Sequence, residues 1–334
     1  MPQDPYISFV LAGRNDNYGG DFRQRLQNCV SRLHAQLTEH RIPAEIIFVN
    51  YNPLPTPPIA DFIQWPVSSG EITVRIIDVP TSIHTVFIES CNIHPVPVIE
   101  YLAKNTGIRR SKGRFIACIN PDVFLPEALF SKIRQGLDSK SYYKANRLDV
   151  HFDEQQEVQT YVRMNLKGHA FPVSGFSTFK NAWWRLKYSI LNRYKFLSPH
   201  FRYLFDMLKI TVYYDNVEFK YHCMAGGDLM LMSRDAWFSL KGYHEKNTVS
   251  LHTDSLMTIQ AASSGLRERV LRAPILHQEH QRRFTSDRED SIQENAYIYF
   301  QQEAAGMLVQ KKNKIYNTDD WGLAKFELPE ITVK

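Results

Sequence analysis

A chain of 334 residues with 43% hydrophobic and 22% charged residues has ample material for a packed core and lacks the composition of a disordered or fibrous protein. The net charge of +5 suits an anionic ligand or a membrane surface, but without a basic stripe it argues against nucleic acid as a partner. The four cysteines (Cys29, Cys91, Cys118, Cys223) show no paired spacing and no CxxC, and read as reduced residues of a cytoplasmic protein.

In chain order, Met1 to Pro5 leads straight into an apolar, β-prone run, Tyr6 to Ala12, with no leader pattern before it. Asp21 to His40 places Phe22, Leu26, Cys29, Val30, Leu33 and Leu37 at helical spacing. Ala44 to Asn50 and Ile72 to Val79 predict two further buried strands. An amphipathic stretch, Pro97 to Thr106, precedes a fourth strand, Arg114 to Asn120. Strands alternating with helices imply a mostly parallel α/β sheet flanked by helices, with ligands at the strand ends. Asp149 to Val162 alternates weakly, as a hairpin does, and Lys180 to Leu208 predicts a helical stretch broken at Pro199. Regular patterning returns at Gly226, and a polar tail carries one helix over Glu289–Leu308. No apolar run reaches the ~18 residues of a bilayer span, and no repeat or linker divides the chain, which predicts one domain.

Chemistry concentrates in three segments. In the first, Ala103 to Asp122, a helix closed by Gly107 is followed by a basic turn and a strand that ends on Asn120-Pro121-Asp122. Hard oxygen ligands at a strand end suit Mn²⁺ or Mg²⁺, and the bases before the strand suit phosphate. An ordinary Asn-Pro-Asp surface turn explains the same triplet.

The segment resembles the A-R-N-x-G-I-x-x-A-x-G-x-(F/Y)-(I/L)-x-(F/L)-x-D-x-D run of family-2 glycosyltransferases, which have the Rossmann-like GT-A fold of nucleotide-diphospho-sugar transferases. Lys104 stands where Arg is usual, and Asn120 where the D-x-D motif has its first Asp. The resemblance implies that Asp122 ligates the divalent cation and that Asn105, Arg109, Arg110 and Asn120 face the donor.

The second segment, Ala225 to Glu245, resembles the acceptor-side "GG…R…W…L-x-GF-x-E" stretch of that family. This implies acceptor contacts from Gly226, Gly227 and Asp228, and Ser233 reads as the N-cap of a short helix. The third holds Asp254, which matches by its distance from Gly265 the carboxylate opening the next helix. In inverting members that carboxylate is the catalytic base, and a helix N-terminus stabilises its charge. The alternative is simple N-capping by Asp254. His277 and His280 resemble the C-terminal histidine that completes metal coordination, His277 being nearer its strand.

Toward the N-terminus, Arg14, Asn15 and Asp16 follow the first strand, Asn52 the second, and Asp78 ends the third. A polar group at three consecutive strand ends suits a uracil and ribose, favouring a UDP-sugar, although polar strand-end turns are common. The resemblance therefore divides the chain into a nucleotide-sugar-binding half (1–125), a variable insert (126–224), an acceptor and catalytic half (225–285) and a tail (286–334).

In the insert, aromatics from Trp183 to Phe205 interleave with Arg185, Lys187, Arg193, Lys195 and Arg202. That suits peripheral membrane association or a lipid-linked acceptor, or else a core-facing segment whose bases snorkel outward. The expectation is a glycosyltransferase acting on a glycan or lipid-linked acceptor. Rival readings are a catalytically silent nucleotide-sugar or glycan binder and a sugar-nucleotide pyrophosphorylase, whose Gly-rich, Arg-bearing loop Gly13 to Asn17 matches poorly.

Overall fold

The first strand, β1 (Ile7–Gly13), is followed by α1 (Phe22–Glu39), β2 (Ala44–Tyr51), a single turn α2 (Ile59–Phe62), β3 (Ile72–Val79), α3 (Thr81–Cys91) and α4 (Glu100–Arg110). Next come β4 (Phe115–Ile119), β5 (Val123–Phe124), α5 (Glu127–Gln135), β6 (Ser141–Lys144) and three strands of a meander, β7 (Arg147–Phe152), β8 (Val158–Leu166) and β9 (His169–Pro172). The remainder comprises β10 (Leu229–Ser233), α6 (Arg234–Leu240), α7 (Thr253–Ser263), β11 (Arg267–Val270), β12 (Ile275–Gln278), α8 (Arg288–Gln310) and β13 (Glu330–Thr332). This computed structural model describes residues 4–91, 96–152, 158–166, 169–172, 221, 223, 226–246, 252–280, 288–310 and 313–334. The aromatic and basic stretch Lys180 to Leu208 lies outside the described residues.

Eight strands form the main sheet in the order β11-β6-β10-β4-β1-β2-β3-β13, and five form a second sheet, β5-β12-β7-β8-β9. Strands β3, β2, β1 and β4 run parallel, as the alternation of strands and helices predicts; β10 enters antiparallel to β4. The mixed, mostly parallel sheet flanked by helices is the expected fold class. The weak alternation after Asp149 is indeed a hairpin, β7 antiparallel to β8.

The central strands are mostly apolar because both faces are covered, and the buried charges they carry are paired, Arg75 of β3 with Glu45 of β2. Phe9 and Leu11 of β1 face a cluster with Leu26, Leu33 and Leu37 of α1 and Phe130 of α5, while Val10 faces Leu102 and Ile108 of α4, Trp237 and Met257. Each fully buried side chain of this kind contributes about 1.5–3 kcal/mol. Ser233 caps α6, its Oγ accepting the Ala236 N–H at 3.3 Å.

Two local expectations are corrected. Gly107 does not close its helix but sits inside α4, because a Cβ there would lie 2.5 Å from Val10 Cγ1. The glycine lets the helix approach the sheet. The polar tail carries its one expected helix and, beyond it, a strand that was not expected: β13 pairs antiparallel with β3, and Glu330 receives two hydrogen bonds from Arg75, at 2.7 and 3.0 Å. Among the described residues no helix is long and apolar enough to cross a membrane, and the four cysteines form no disulfide.

Candidate active site

The register of three strands assembles the site. Asp122 follows β4 and immediately precedes β5; in the antiparallel pair β5–β12, Val123 lies opposite His277. Asp122 and His277, far apart in sequence, thereby become neighbours, and the Gln278 N–H donates to the Asp122 carbonyl at 3.0 Å. His280 follows in the next turn. The Asp122 Oδ2 atom is 3.6 Å from His277 Nε2 and 3.4 Å from His280 Nε2.

A third group shares that oxygen, one which the sequence alone did not single out. The buried Arg25 of α1 donates from Nη1 to Asp122 Oδ2 at 2.7 Å and is braced by Asp21 and the Tyr18 carbonyl. Burial pushes the Asp122 carboxyl up, but the charge on His277, hydrogen bonds from both histidines and Arg25 hold it well below the usual carboxylate range. His277 is pushed up to about 9, the charge of Asp122 and hydrogen bonds with Asp122 and Asp149 outweighing burial.

One carboxylate and two imidazoles whose ligand atoms lie within 4.8 Å of one another form a mixed donor set suited to a divalent transition-metal cation. Asp122 Oδ1 is buried with no hydrogen-bond partner, as an atom reserved for a further ligand would be. The residues therefore fit a divalent cation.

The second half of the site forms around the entry to β10. Because β10 is antiparallel to β4, with Leu229 opposite Ile119, Asp228 comes to lie beside Asn120. Asn120 Nδ2 donates to Asp228 Oδ1 at 2.7 Å, and Asn120 Oδ1 accepts from Lys104 Nζ at 2.6 Å. Lys104, fully buried, also donates to Glu100 and to the Gly227 carbonyl. Burial pushes its ammonium down, but the Glu100 charge, the largest of several opposing causes, leaves it raised. Arg147 joins Asp228 Oδ2 at 3.0 Å to Asp149 Oδ1 at 2.6 Å.

Asp254 sits in the first turn of α7, and its Oδ2 accepts the Gly227 N–H at 2.8 Å. Gly226 is needed for this approach: a Cβ there would lie 2.8 Å from Lys144 Nζ and 3.0 Å from Asp254 Oδ2. Buried Lys144 donates to Thr258 Oγ1 at 2.9 Å, and burial lowers its ammonium although the Asp254 charge opposes this. Gly226, Gly227, Asp228 and Asp254 are thus brought together, and Asn120 with Arg147 ties them to Asp122 and the histidines.

The strand-end residues form a separate group. Arg14 donates to the Asn52 carbonyl at 2.6 Å and lies 3.6 Å from Asp16. Asn15 uses its amide on the loop itself, bonding Leu54 and the Pro57 carbonyl. Asp78 Oδ1 accepts from Asn50 at 2.8 Å, and Asn52, with φ 51°, donates to the Pro97 carbonyl.

The side chains of Asn105, Arg109 and Arg110 are engaged away from Asp122 and the two histidines. Helix α4 runs back along the sheet, so its last turn lies where β4 begins and Asp122 lies beyond its end, a five-residue strand away. Asn105 is buried, bonding both the N–H and the carbonyl of Tyr243 and Glu245 Oε1. Arg109 stacks over Trp321 and Phe238, and Arg110 binds the carbonyls of Gly322, Leu323 and Phe326. The two arginines hold the C-terminal segment against α4, and Asn105 holds Tyr243 and Glu245.

No protein-family model matches the chain, and no curated protein sequence matches it. Similar solved structures include S. aureus TarS 1–349, at TM-score 0.44 and 10% identity over 81% of this chain and 60% of that one. S. aureus TarS gives 0.46 and 10%, over 96% and 42%. GalNAc-T7 with UDP, GalNAc and Mn²⁺ gives 0.47 and 10%, over 95% and 53%. The chain thus spans about half the length of these structures, and the likeness concerns the fold alone.

Proposed function

We propose that this chain is a GT-A glycosyltransferase that moves a sugar from a nucleotide diphosphate-sugar, a UDP-sugar in the favoured case, to a glycan or lipid-linked acceptor with the help of a divalent cation. The supporting observation is the convergence of Asp122, His277 and His280 at the strand ends, joined through a continuous set of hydrogen bonds and ion pairs to the loop that holds Asp254. Asp122, His277 and His280 would hold Mn²⁺ or Mg²⁺, which when bound supplies Lewis-acid neutralisation of the diphosphate leaving group.

The chain's own groups do the remaining work. Asp254 is the base, with Gly227 N–H on one oxygen and Ser255 N–H on the other, each at 2.8 Å. These contacts fix the carboxylate while leaving each oxygen a lone pair for an acceptor hydroxyl. Lys104 orders the same loop from beneath, through the Gly227 carbonyl. Asp254→Asn should spare donor binding and lower turnover by about 10²-fold or more, the usual scale for losing a general base; wild-type turnover would leave Asp254 as a cap.

A second reading rests on Arg25. Its guanidinium already occupies Asp122 Oδ2 at 2.7 Å, so a cation-independent site, with Arg25 and protonated His277 facing the diphosphate, is the alternative that a metal titration separates.

A further inference from the structure

His277 has a different neighbour on each side. Strand β12 pairs antiparallel with β5, next to Asp122, and parallel with β7, where Asp149 lies directly opposite His277. His277 Nδ1 is 3.1 Å from Asp149 Oδ1, and Nε2 is the atom turned toward Asp122. Asp149 is fully buried, so its carboxylate has a fixed address, and burying such a charge is costly unless it is paired.

We propose that Asp149 is a positioning residue for the divalent cation: it accepts the Nδ1 proton of His277 and so fixes Nε2 as the atom presented beside Asp122. This rests on the metal-dependent reading above. A ligating histidine needs its second nitrogen held by an acceptor, which sets both the tautomer and the ring plane. Asp149 is placed for that by strand register and held by Arg147, whose Nε donates to the same oxygen at 2.6 Å.

The same geometry decides between two ways of using His277. Asp149, His277 and Glu279 also lie close enough to surround an ion. A cation there would need Nδ1, the nitrogen facing Asp149, and would meet the Arg147 guanidinium bridging Asp149 and Asp228. Unpartnered buried atoms do not separate the two sides, since Asp122 Oδ1 lacks a hydrogen bond on one and His277 Nδ1 and Glu279 Oε2 on the other; the Arg147 charge on Asp149 does. Asp149 therefore supports the ion from behind the histidine and does not ligate it. Arg147 extends the support to Asp228, joining the cation site to the acceptor loop.

The test is Mn²⁺ affinity of the full chain, followed by the electron paramagnetic resonance of the free ion, for wild type and Asp149→Ala. A loss of about 10–100-fold in a folded variant is expected; wild-type affinity would overturn the proposal. A purely structural Arg147–Asp149 pair would instead lower the melting temperature and leave Mn²⁺ affinity unchanged. If Asp149→Ala does not fold, ¹⁵N spectra of wild-type histidines with Mg²⁺ decide: a protonated Nδ1 and bare Nε2 on His277 support it, and the opposite tautomer overturns it. Absence of Mn²⁺ binding by the wild type would overturn the metal reading as well, which separates the two failures.

Discussion

Asn120 and Asp228 share a hydrogen bond that only an amide can make: Nδ2 donates to Asp228 Oδ1 at 2.7 Å, while Oδ1 of the same amide accepts from Lys104 at 2.6 Å. A carboxylate at position 120 would keep the Lys104 contact and set like charges against each other on the opposite side. The Asn in place of the motif's first Asp is thereby accounted for. Asn120→Asp is expected to cost about 1–3 kcal/mol in denaturant unfolding at pH 8. The swapped pair Asn120→Asp with Asp228→Asn should regain part of that loss, since it restores one donor and one acceptor. Equal stability of Asn120→Asp and wild type would contradict this account.

Gly226→Ala tests the packing around Asp254, the proposed base. The new Cβ would lie 2.9 Å from Asp254 Cβ and 2.8 Å from Lys144 Nζ; the lysine end can move, but the Asp254 Cβ is carried on helix α7. A displacement approaching 1 Å at a catalytic group can lower the rate by about 10²-fold. The variant should lose kcat while keeping its affinity for the nucleotide, as measured by calorimetry.

Arg25→Gln separates the two readings of the cation site. Removing the guanidinium from Asp122 Oδ2 takes away a competing positive charge, so Mn²⁺ should bind several-fold more tightly. If Arg25 itself meets the diphosphate, the variant loses nucleotide affinity in EDTA and gains nothing from Mn²⁺.

His277 makes cation binding pH-dependent. Without a cation, His277 is raised from 6.5 to about 9, a stabilisation complete below pH 6.5 and lost as pH rises through about 9. A ligating imidazole must be unprotonated, so Mn²⁺ affinity should climb about tenfold per pH unit across that window and level off above it. Calorimetry in buffers of different ionisation enthalpy should detect the released proton, and a flat profile would place the ion elsewhere.

Glu245 gives a signature independent of the cation. Burial raises its carboxyl from 4.5 to about 7, against the hydrogen bonds from Gly322 N–H and Asn105. The fold favours the protonated form, so this contribution to stability is complete below pH 4.5 and is lost as pH rises through about 7. Glu245→Gln keeps an acceptor for both donors and removes the ionisation. Its melting temperature should vary less than wild type over that range, by the equivalent of roughly 3 kcal/mol.

The parallel strands were legible because strands buried on both faces read as mostly apolar runs, and Asp122 could be read just past the end of one; His277, expected just beyond its strand, lies within β12. What local pattern could not carry is pairing between distant strands. Nothing near Asp149 announces that β7 will lie beside β12, and Arg25 reads as one polar residue on an amphipathic helix until α1 docks over Asp122. Gly107 looked like a helix stop because glycine ends helices more often than it serves close packing inside them. Asn105 and the two arginines read as donor contacts from their place in the motif, but a helix running back along the sheet carries them away from the strand end that bears Asp122. Strand β13 is three residues long and exposed, too short for any alternation to be seen.

The central claim is that Asp122 holds a cation that holds the nucleotide, and the affinity of UDP with Mn²⁺ and with EDTA, for wild type and Asp122→Ala, tests it most directly. Wild type should bind UDP appreciably more tightly with Mn²⁺, and Asp122→Ala should bind it equally in both buffers while remaining folded. Equal affinity of the wild type in the two buffers would contradict the account.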